Sequence, residues 1–97
     1  MSGKGVDGAF AVVSSQAVAY TATAAATATA FSDGIHHIRI SATTACHYKL
    51  AGTPVATTSD TYLPANVIEI IRVNPGQKIS FIRSATDGTA SVSQMSK

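Results

Sequence analysis

Hydrophobic and polar positions alternate most clearly from residue 36 to residue 50. Ile38, Ile40 and Ala42 fall on one side of an extended chain, and Arg39 and Ser41 on the other. After Thr43-Thr44-Ala45, Cys46, Tyr48 and Leu50 share one face while His47 and Lys49 share the opposite one. This pattern predicts two strands, and their pairing follows from which register keeps apolar residues together. A two-residue turn at Thr43-Thr44 would set Ile40 against His47, mixing core with solvent. A three-residue loop sets Ala42 against Cys46, Ile40 against Tyr48 and Ile38 against Leu50. The second register is the one expected.

Elsewhere the pattern is weaker. Residues 1–9 hold three glycines and no periodicity, as suits a flexible arm, with residues 10–97 as the folded domain. From residue 10 to residue 31 the chain is almost uncharged and rich in Ala and Thr. Thr21, Thr23, Thr27 and Thr29 are odd-numbered and Ala22, Ala24, Ala26, Ala28 and Ala30 even, a period of two that favours strands near 10–14, 17–23 and 26–31 over a helix. Ser32-Asp33-Gly34 reads as a turn and residues 52–66 as a long irregular segment. Residues 67–73 are apolar on both faces and so read as a central strand. Asn74-Pro75-Gly76-Gln77 fits a type II turn leading into a hairpin partner at 78–83. Asp87-Gly88 then introduces a final strand in which Ala90 and Val92 alternate with Ser91 and Ser93. The expected fold is all-β: one antiparallel sandwich or barrel, jelly-roll-like, of seven to eight short strands.

Composition narrows what such a domain can do. Of 97 residues 17 are Ala, and only 21 are Val, Ile, Leu or Phe, so the core is thin. Asp, Glu, Lys and Arg number 12, about half the usual share, which leaves a surface with little resistance to association and points to a homo-oligomer. The single cysteine excludes an internal disulfide. The seven Lys and Arg are scattered through the sequence without a run, so nucleic acid binding is not expected. No stretch approaches the ~18 apolar residues of a membrane helix, and Phe10 to Val13 is too short an apolar run for a secretory leader.

Catalytic and metal chemistry find little footing. His36, His37, Cys46 and His47 are the only cluster of metal-ligand types, but neighbours on a strand point to opposite faces. In the expected register the backbones of His37 and His47 also lie about 13 Å apart. No metal or other cofactor is expected. Cys46 falls among Ala42, Ile40 and Tyr48 rather than beside a base. No nucleophile-elbow serine occurs, and the carboxylates fall mostly in turns. No enzymatic activity is expected. Arg39, Lys49, Arg72, Lys78 and Arg83 can form basic stripes on sheet faces, suited to an acidic protein surface.

One resemblance adds to this. The segments IRISATTACHYKLAG, TPVATTSDTYLPANVIEIIRVNPGQKISFIR and GTASVSQMS, covering about 60 of the 97 residues, resemble the small virion structural proteins of tailed bacteriophages that decorate or cement capsids. The most particular part is Leu63-Pro64-Ala65-Asn66 leading into 67–73 and Pro75-Gly76; Asn66 stands where glycine is more usual. The resemblance implies a β-sandwich docked on the major capsid protein at the virion surface. It also implies reinforcement of the shell, synthesis in the host cytoplasm, and a trimer as the arrangement suited to threefold positions. A tail or neck component and a carbohydrate-binding sandwich for host attachment stand as alternatives. Val6, Phe10, Tyr62 and Leu63 are the expected partner contacts, from the arm and from the 52–66 segment.

Overall fold

The computed structural model describes residues 11–96. Val6, Phe10 and the expected arm lie outside them. Eight strands are present, without a helix among the described residues: β1 (Ala11–Tyr20), β2 (Ala25–Ala26), β3 (His37–Ala42), β4 (Cys46–Ala51), β5 (Thr61–Leu63), β6 (Glu69–Arg72), β7 (Lys78–Arg83) and β8 (Gly88–Ser96). They form two four-stranded antiparallel sheets, ordered β1-β8-β3-β6 and β2-β7-β4-β5. The pairs β1/β8, β2/β7, β3/β6 and β4/β5 are nested, so the chain runs as one long hairpin folded at the β4–β5 connection and rolled into two layers. That is the jelly-roll arrangement, and the two sheets stay separate rather than closing into a barrel.

The face pattern of the central strands holds. Ile38, Ile40 and Ala42 of β3, Cys46 and Tyr48 of β4, and Ala90 and Val92 of β8 are all buried in one core, with Leu50 packed at its edge. Phe81 lies between Tyr20 and Tyr48, with ring centroids 6.1 and 6.4 Å away.

The expected pairings do not hold. β3 and β4 are not a hairpin: β3 pairs with β8 and β6, and β4 with β7 and β5. The two apolar faces meet across the sandwich instead of side by side, which satisfies the same alternation. Likewise β6 and β7 lie in different sheets, so Asn74 to Gln77 is an arch between layers, not a hairpin turn. Gly76 still takes the left-handed conformation of a type II turn, with φ at 88°, and Gln77 N–H donates to the Asn74 carbonyl at 3.2 Å. β7 and β8 are separated in the same way.

The Ala/Thr region also departs from expectation. β1 is one continuous strand with a bulge at Val13, and it ends at Tyr20. Beyond it only two residues pair as a strand, because the Thr hydroxyls and nearby side chains take up the backbone groups instead. The Thr21 hydroxyl accepts from Thr23 N–H at 3.1 Å. The Gln16 amide holds both the N–H and the carbonyl of Thr29, at 3.1 and 3.0 Å. Buried Thr27 donates its N–H to Ile79 and accepts the Ile79 N–H on its hydroxyl.

Candidate functional site

The two outer faces of the sandwich differ. On the second sheet, residues 52–60 fold back over the strands. Ala56 N–H donates to the Ser80 hydroxyl at 3.0 Å, and Ser80, on the outward side of β7, is buried as a result. His47 Nδ1 lies 3.0 Å from the Asp60 carbonyl, and its ring tilts against Tyr62 at 5.4 Å. The 52–66 segment thus contains β5 and packs in part on its own domain, so it is less irregular than its composition implies.

The structure separates the expected partner contacts. Tyr62 is 51% exposed on the outward side of β5 and is free to meet another molecule. Leu63 is wholly buried, opposite Cys46, and belongs to the core rather than to an interface.

The first sheet is uncovered among the described residues. The outward residues of β3 are His37, Arg39 and Ser41, paired with Arg72 and Ile70 of β6 on one side and Ser93 and Ser91 of β8 on the other. β6 is therefore an edge strand, not the central strand its double apolar pattern suggests. Its outward apolar positions remain open, with Ile70 52% and Ile68, just before the strand, 54% exposed. Two shallow concavities lie on this sheet. One, of about 210 Å³, is lined by Arg39, Ile40, Ser41, Ile68, Ser91 and Ser93. The other, of about 330 Å³, is lined by Gly34, His36, His37, Arg72 and Met95. No family model, curated protein or solved structure matches the chain.

His36 and His37 share the second concavity, contrary to the alternation rule, because His36 precedes the strand. His47 is in the other sheet, opposite Tyr62 and Ile82 rather than near Ser41. Among the described residues no group of three or more His, Cys, Asp or Glu is placed to hold a metal ion. Cys46 is buried, and desolvation raises its thiol pKa, partly countered by the nearby Tyr20 hydroxyl. No described helix is long and apolar enough to cross a membrane.

What the sequence reading missed is the patch itself. The signal was available in Val67-Ile68-Glu69-Ile70, whose two apolar faces can mean either a central strand or an edge strand with an open apolar side.

Proposed function

We propose that this protein is a virion structural component, a decoration protein that docks on the major capsid protein of a tailed bacteriophage and reinforces the shell. The observation that carries the reading is the open apolar margin of the first sheet, where Ile68 and Ile70 project from an edge strand beside two concavities. Exposed apolar side chains grouped on one surface and rimmed by polar ones are characteristic of protein interaction sites. The resemblance of residues 35–95 to capsid decoration proteins and the jelly-roll layering, an architecture shared by viral capsid and lectin domains, support the same reading. Exposed Tyr62 against His47 is the feature that favours the carbohydrate-binding alternative.

Co-sedimentation with assembled shells tests the proposal. Binding at a stoichiometry comparable to the major capsid subunit, with a higher temperature of shell disruption, is the expected result. A few copies per particle would move the protein to the neck or tail. Absence of shell binding together with retention on a glycan array would replace docking with carbohydrate recognition.

A further inference from the structure

The outer face of the first sheet has a charge pattern that specifies its partner. Of the four strands in that sheet only β6 contains a carboxylate, Glu69, and its Oε1 accepts a hydrogen bond from Tyr48 on the core side at 3.3 Å. Arg39 and Arg72 face outward, and neither has a carboxylate partner among the described residues, where the ion pair formed joins Arg83 at the end of β7 to Asp87 in the connection that follows. Arg39 lies opposite Ile70 and Arg72 two residues further along β6, so the two are diagonal neighbours about 7 to 8 Å apart. Ser41, Ser91 and Ser93 line the same concavity as Arg39, and the Ser93 hydroxyl shares a hydrogen bond with Ser15 at 2.9 Å.

We propose that this face binds an extended acidic segment of a partner protein, lying over the face and crossing from β3 to β6, with carboxylates at alternate positions reaching Arg39 and Arg72. Alternate residues of an extended chain are separated by about 6.6 to 6.8 Å, close to the backbone spacing of this diagonal pair. Guanidinium recognises carboxylate through two parallel hydrogen bonds, and the Ser41 and Ser91 hydroxyls can supply further donors. Ile68 and Ile70 give the intervening stretch an apolar floor. Residues 1–10 of this same chain make a poorer occupant, since they carry one lysine and one aspartate and so no alternating acids.

The inference rests on the docking reading above and sharpens it. Its test uses the full chain labelled with nitrogen-15, an alternating Glu-Thr octapeptide as probe and its Lys-Thr counterpart as control. Amide shifts centred on Ser41, Ile70, Ser91 and Ser93 are expected with the acidic peptide alone. Arg39→Gln and Arg72→Gln are each expected to weaken binding by about tenfold, while Lys49→Gln, in the other sheet, leaves it unchanged. Three results overturn the proposal: shifts confined to the second sheet, equal binding of duplex DNA through the same residues, or shifts at Ser91 and Ser93 on deleting residues 1–10, which would make the arm the occupant. Peptide binding without shell binding would sink the capsid reading alone; shell binding insensitive to both arginine variants would sink this one alone.

Discussion

Tyr20 ends β1 with its ring in the core and its hydroxyl on the connection between the layers. The hydroxyl donates to the Thr44 carbonyl at 2.6 Å and accepts the Thr44 N–H at 3.2 Å, while the Thr44 hydroxyl donates onward to the Thr86 carbonyl. Gly88, opposite Tyr20, leaves room for this contact: a Cβ there would lie 2.5 Å from the Tyr20 hydroxyl and collide with Thr44 Oγ1. Tyr20→Phe is therefore expected to destabilise the domain by about 1 to 3 kcal/mol, the effect of leaving a part-buried N–H unpaired, with the slope of urea denaturation unchanged. Two further residues set an alkaline limit. Burial raises the Tyr48 phenol above its ordinary 10.0, helped by the negative charge of Glu69 and the hydrogen bond to it, and burial raises the Cys46 thiol above 9.0. In both cases the folded state keeps its proton at a pH where the unfolded chain loses it. Their contribution is thus complete below the unfolded values and lost as pH rises through the folded ones. The melting temperature is expected to fall above pH 9, and Cys46→Ala to remove the first part of that fall, as followed by circular dichroism.

At the scale of elements, the bend before β6 turns on Asn66. It has φ at 60°, in the left-handed region that glycine and asparagine tolerate, and its N–H donates to the Ala42 carbonyl at 2.7 Å. Asn66→Gly is expected to be nearly neutral and Asn66→Ala to cost about 1 to 2 kcal/mol, compared by chemical denaturation. Strand positions were largely legible: 78–83 coincides with β7, and the inward residues of β3, β4 and β8 follow from alternation. Strand partners were not, because alternation specifies a face and not a neighbour. Ile40 and Tyr48 satisfy the same pattern whether side by side or across a core. A Pro-Gly turn serves an arch between sheets as well as a hairpin. The Thr/Ala region failed for another reason, since short hydroxyl side chains compete for the backbone groups that a ladder needs. The proposed docking face was half legible: its arginines can be expected as basic stripes, but their meeting on one sheet depends on the β3/β6 pairing.

For the whole molecule, core and surface should respond to substitution in opposite ways. Phe81 is fully buried between two aromatic rings in a domain with few large apolar side chains, so Phe81→Ala is expected to cost about 3 to 5 kcal/mol, a large share of a small domain's stability. Ile70→Ser should change stability by no more than about 0.5 kcal/mol while lowering shell binding, and paired thermal melts and co-sedimentation check both. The nesting of the strands has a consequence for biosynthesis. Of the eight described strands β8 leaves the ribosome after the other seven, yet it is the interior strand that joins β1 to β3. Until residue 96 clears the exit tunnel, β1 has no partner in its sheet, and its Val-rich backbone stays available to other chains. Folding of this domain thus waits for β8, paced by closure of the loop between β1 and β8. Nascent chains stalled before residue 88 are expected to be digested by protease throughout, and those extended well past residue 96 to be resistant.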